Sequence, residues 1–153
     1  MEYSNNINNI LTLLDEEFLI ELQSQQNREL FARVISLDFN ENPLDSIEGK
    51  VTGGTINLDG SSSVRRTCSL TLVSQEVNIK DYYWGLHTKF KLEIGLKNHL
   101  LGKYSSNYYP DLVWFPMGTY ILTTFGTSLS PNSCTISLSG KDKMCMLNGD
   151  LGG

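Results

Sequence analysis

Alanine is nearly missing from this chain of 153 residues, with Ala32 the single example. Ser, Thr, aromatic and β-branched residues stand where the best helix former would, so the expected fold class is mostly β. Histidine is almost as scarce. His87 and His99 lack a Cys neighbour and any H-E-x-x-H pattern, so neither a metal ligand nor an imidazole base is signalled. Three cysteines, Cys68, Cys134 and Cys145, are odd in number, widely spaced and without C-x-x-C. That excludes a disulfide framework and a zinc site as sequence signals, and buried thiols are expected instead. No apolar run approaches the roughly 20 residues that span a bilayer, and the first residues carry no basic stretch leading into an apolar one. The expectation is a soluble chain without a secretory leader or a membrane contact. No Asn stands in N-x-[ST], Asn132-Ser133-Cys134 being the nearest approach.

Charge is also sparse: 12 Lys and Arg against 17 Asp and Glu leave a formal net charge of -5. Holding nucleic acid by counterion release needs clustered cations facing phosphates, which this balance disfavours. Hydrophobic residues, at 40%, suffice for a core, and the length fits one compact domain with a small appendage.

The exception to the β composition lies over 7–22. Ile7, Ile10, Leu11, Leu14, Phe18 and Leu22 follow the spacing of one helical face, with Asp15, Glu16, Glu17 and Glu21 elsewhere. Leu13, Leu19 and Ile20 widen that face, so the helix must pack on its own domain or on a neighbouring chain. The expected organisation is a helical arm over 1–27 and a β-barrel domain over 28–153. From Leu30 the period becomes two. Phe31, Ile35, Leu37 and Phe39 form the apolar set of a first strand, ended by Asn40-Glu41-Asn42-Pro43. A second extended region, 47–58, is interrupted at Gly53-Gly54, where paired glycines indicate a bulge, and Asp59-Gly60 marks a tight turn. Val64, Arg66, Cys68, Leu70 and Leu72 then alternate with polar residues, as do Phe90, Leu92 and Ile94, and Cys134, Ile136 and Leu138. A further strand region over 112–125 is expected to break near Pro116. Six or so strands without intervening helices imply an antiparallel barrel or sandwich, whose edges need closure or assembly.

Patterns that could carry chemistry fail on their spacing. Asp38, Asn40 and Asn42 start like a calcium loop, but Pro43 stands where Gly is needed and Gly49 where Glu is needed, which leaves a turn held by Asx side chains. The stretch VTGGT at 51–55 lacks the Lys-Ser/Thr and the following helix of a phosphate loop. Ser61, Ser62 and Ser63 sit in a turn without a base, and no G-x-S-x-G occurs. No catalytic residue, metal or cofactor is therefore expected, and the chain is read as not an enzyme. Two features remain. Tyr104, Tyr108, Tyr109, Trp114 and Phe115 could stack on sugar rings, which would make the chain a carbohydrate-binding module for host attachment; core or interface rings are the other reading. In Arg65-Arg66, alternation sends one guanidinium toward the face of Cys68 and Leu70, where Asp59 or Asp142 would pair with it unless it lies in water at a barrel rim.

Five pieces then occur in one order: GTINLDG at 54–60, SVRRTCSLTL at 63–72, WFPMG at 114–118, YIL at 120–122 and ISLSGKDKM at 136–144. Over roughly 30–147 this resembles the amino-terminal domain of bacteriophage tail hub and baseplate proteins. The resemblance implies a β-barrel of the tail-tube kind that joins copies of itself in a three-fold or six-fold ring, connecting tail tube to baseplate. Its partners would be other tail and baseplate proteins, with DNA passing through the ring without specific binding. Its location would be the virion, after assembly in the host cytoplasm. Arg65, Arg66, Pro116, Gly118, Gly140 and Asp142 match family positions whose implied role is structural. Asp59, Trp114, Phe18 and Leu22 complete the structural and interface candidates.

Overall fold

The computed structural model describes Gln23 and residues 29–74, 84–97 and 112–149. The expected helix over 7–22, with Phe18 and Leu22, lies outside the described residues, as do His99, Tyr104, Tyr108 and Tyr109. By contacts the chain divides into two compact units, Met1–Leu30 with Gly95–Trp114, and Phe31–Ile94 with Phe115–Gly153. In the first, Leu112 and Val113 are buried and the Trp114 ring lies against Gly95.

The strands are β1 (Leu30–Leu37), β2 (Pro43–Leu58), β3 (Arg66–Ser74), β4 (Lys89–Lys97), β5 (Leu112–Ser130) and β6 (Ser133–Asp142), followed by one helical turn, α1 (Met144–Leu147). They close into a barrel in the order β1-β2-β3-β6-β5-β4. Closure rather than a sandwich satisfies most strand edges internally. Two long strands make the circuit possible. β2 pairs with β1 through Lys50 and with β3 from Lys50 onward, and the register shifts between Val51 and Gly53, as the paired glycines require. Gly54, at φ 155°, has no room for a side chain: a Cβ there would stand 2.5 Å from the Ser69 carbonyl oxygen. β5 carries a further shift, between Leu122 and Thr124, and β1 one between Ser36 and Leu37.

The alternating residues of β3, β4 and β6 face the core as their period dictates. Leu72, Phe90, Leu92, Cys134 and Ile136 have no exposed surface, and each large apolar side chain so buried contributes about 1.5–3 kcal/mol. All three cysteines are free and buried. Burial pushes the Cys68 thiol up to about 12.

Two expectations about strands are corrected. In β1 the core face is Ala32, Val34 and Ser36, one residue out of phase with the expected set. The interior already holds the rings of Trp84, Phe90 and Tyr120, so β1 supplies small side chains there. Phe31 and Leu37 are buried on the opposite face, whereas Phe39 lies beyond the strand, 89% exposed. The break expected near Pro116 does not occur. β5 runs through it because Pro116 is exposed, and a proline is tolerated where its missing N–H leaves no ladder bond unmade.

Candidate interaction surface

Residues of four of the five quoted motifs, Arg66, Met117, Gly118, Gly140 and Asp142 among them, meet around Tyr120. Phe90 stacks on Tyr120 with centroids 5.7 Å apart, and the Tyr120 hydroxyl donates to the Met117 carbonyl at 3.1 Å. Gly140 leaves room for that stack. A Cβ there would stand 2.7 Å from two carbons of the Phe90 ring. Gly118, at φ 119°, adopts a backbone conformation that favours glycine, and a Cβ on it would meet the Arg66 guanidinium at 2.9 Å. Asp142 binds two main chains at once: Oδ2 accepts the Arg66 N–H at 3.0 Å and Oδ1 accepts the Met144 N–H at 3.0 Å. One carboxylate thus joins the start of β3 to α1. Burial raises the Tyr120 hydroxyl pKa.

Both arginines are exposed, so Arg66 lies in the phase of Cys68 and Leu70 with water around it. Asp142 meets Arg66 through the backbone N–H rather than as partner to an inward charge. Asp59 is committed elsewhere. Its carboxylate accepts from the Ser61 N–H at 2.9 Å and the Ser61 hydroxyl at 2.6 Å, which holds it below the usual carboxylate range. Arg65 lines a concavity of about 470 Å³ beside this turn with Asn57 and Thr67. Trp114 is half-buried, with Gly95 bare beneath its ring: a Cβ there would stand 2.9 Å from Cζ3.

A second cluster is illegible from spacing alone. The β1–β2 turn, the segment entering β4 and the β6–α1 junction surround a concavity of about 500 Å³ lined by Leu37, Phe39, Leu44, Ile121 and Met146. Asp38 builds the turn as expected: its carboxylate accepts the Asn42 N–H at 2.7 Å and the Asn42 amide at 3.0 Å, which lowers its pKa. Glu41 then sits at φ 66°, where glycine is the usual occupant, and its carboxylate binds Lys143 and faces Lys89 at 3.9 Å. The hydrogen bond from Lys143 lowers the Glu41 pKa. Lys89 donates to the Phe39 carbonyl at 2.9 Å and lies 5.1 Å from its ring centroid. The turn is thereby tied to two other segments. His87, at φ 69°, donates its N–H to the Leu122 carbonyl at 2.9 Å. Glu41 and His87 are the positive-φ non-glycine residues among those described; His87 lines this concavity, and Glu41 holds Lys143 and faces Lys89, which line it too.

Exposed apolar side chains occur on the turn, the segment entering β4 and α1. Phe39, Leu86 and Leu147 are 89%, 65% and 82% exposed, with Met144 and Met146 about half so, while Cys145 between the methionines is buried. Sequence patterning missed these side chains because an exposed Phe or Leu reads like a core one. Patterning also missed the ion cluster outside β1, β2 and β4. There Arg33 bonds Glu93 at 2.8 Å and faces Glu48 at 3.5 Å, while Lys91 meets Glu93 at 2.7 Å. These pairs tie β1, β2 and β4 together across their outer face.

No group of three or more metal-ligating side chains occurs among the described residues, and no helix among them is long and apolar enough to cross a membrane. No protein-family model and no curated protein matches the chain. Among solved structures, the Francisella PdpA-VgrG complex in its half-lidded form contains a chain similar at a TM-score of 0.44, with 12% identity over 96% of this chain and 24% of that one. The lidded form of that complex gives a TM-score of 0.43 and 11% identity, over 94% of this chain and 21% of that one. This chain therefore spans less than a quarter of the length of those it resembles.

Proposed function

We propose that this barrel is a structural component of a bacteriophage tail or baseplate, one of several copies in a hub ring through which DNA passes. It acts by rigid contact rather than by catalysis. The observation that carries the reading is the exposed apolar surface of Phe39 and Met146, which line one concavity framed by the ties of Glu41 to Lys89 and Lys143. A lone barrel gains nothing from presenting such side chains to water; a protein that completes itself against neighbours does. The ordered motifs support the same reading, since Arg66, Gly118, Gly140 and Asp142 serve packing and main-chain hydrogen bonding. Three or six copies form the ring, other tail proteins are its neighbours, and the virion is its location.

Electron micrographs of the purified protein at high concentration test this. Rotationally symmetric particles with a central hole are expected, and Phe39→Asp with Met146→Asp should disperse them. Particles without symmetry, or glycan binding that is lost in Trp114→Ala while assembly is unaffected, would favour the carbohydrate-binding reading instead.

A further inference from the structure

The barrel closes, yet two of its strands outrun their neighbours. β1 pairs with β2 only as far as Lys50, so 53–58 have β3 on one side and no described strand on the other. β4 begins at Lys89, and the segment entering it meets β5 at Leu122 through the Leu122 N–H to Thr88 carbonyl bond of 2.8 Å. Beyond that point, 126–130 have β6 alone beside them among the described residues. Both stretches are solvent-exposed over nearly their whole length, and each carries one outlying leucine, Leu58 at 72% and Leu129 at 66%.

Their composition is the second observation. Exposed strand edges are ordinarily blunted by Lys, Pro or an inward charge. Here the edges read GTSLS at 126–130 and GGTINL at 53–58, with no charged residue and no proline in either. The closed flank of β1 and β4 is by contrast laced with Arg33, Lys89, Lys91 and Glu93. The unguarded edges are therefore confined to the stretches that lack a neighbouring strand among the described residues.

We infer that the free edge of β2 in one copy pairs with the free edge of β5 in the next, adding strand to strand between copies. Two different edges make a head-to-tail contact, which generates a ring if the rotation closes, and main-chain hydrogen bonds supply the affinity. The inference rests on the assembly reading above and specifies which surfaces join.

Two preparations, Thr55→Cys and Ser128→Cys, are mixed and treated with a short bis-maleimide, the three native thiols being buried. A cross-linked dimer of twice 17.2 kDa is expected from the mixture and not from either preparation alone. Dimers within one preparation would overturn the head-to-tail pairing. Asn57→Lys and Thr127→Lys, both at exposed positions, should weaken association at least tenfold with the unfolding midpoint unchanged. An assembly whose mass survives both substitutions overturns the edge pairing and leaves the assembly reading standing. A wild-type chain that stays monomeric overturns both.

Discussion

Replacing Gly140 by alanine adds one methyl group where the structure has no place for it. The new Cβ would stand 2.7 Å from Cε1 and Cζ of Phe90 and 3.0 Å from Cβ of Tyr120. Ordinary contact begins several tenths of an ångström further out. Phe90 and Tyr120 have no exposed surface, and their rings are stacked, so neither can retreat into water. Either the stack opens or the strand backbone moves. Overpacking of this kind costs about 1–3 kcal/mol. Phe90→Leu removes the ring carbons that collide. Alone it loses the stacking, worth about 0.5–1.5 kcal/mol, together with part of the ring's burial. In combination with Gly140→Ala it should relieve the clash, making the double variant about 1–2 kcal/mol more stable than the sum of the single effects. Urea unfolding followed by tryptophan fluorescence measures this, with Trp84 a buried reporter stacked on Phe125. Additivity within about 0.5 kcal/mol would refute the packing described around Tyr120.

Asp142→Ala leaves the Arg66 and Met144 N–H groups without their shared acceptor and should cost about 1–2 kcal/mol, with faster amide exchange in α1 as the local sign. Asp38 and Glu41 have lowered pKa values, so their contribution is complete above their unfolded values and is lost as pH falls through the folded ones. Urea midpoints should decline below pH about 4, less steeply in Lys143→Gln; equal slopes would contradict the tie between Glu41 and Lys143. The three buried thiols should resist a disulfide reagent at pH about 8 in the native protein and react together in denaturant, whereas native labelling of Cys68 would refute its burial.

Much of the barrel was readable because a strand with one buried face alternates. Cys68, Leu70 and Leu72, Phe90 and Leu92, and Cys134, Ile136 and Leu138 are such rows, and each proved to be core. β1 misled because both its faces are covered. Phe31 and Leu37 are buried outside while Ala32 and Ser36 serve the interior, so the largest side chains marked the wrong face. The turn at 38–42 was legible in its Asx residues, which act locally. The surface it belongs to was not, since Glu41, Lys89 and Lys143 meet only after β1, β4 and β6 are brought together. Nor could period two reveal that Arg33 sits between Glu48 and Glu93, because alternation assigns a face and not a neighbouring strand.

Native mass spectrometry across a concentration series tests most directly the claim that this barrel completes itself against copies. A species of three or six times 17.2 kDa that grows with concentration, and is lost in Phe39→Asp with Met146→Asp, is the predicted result. A single 17.2 kDa species at every concentration would contradict it.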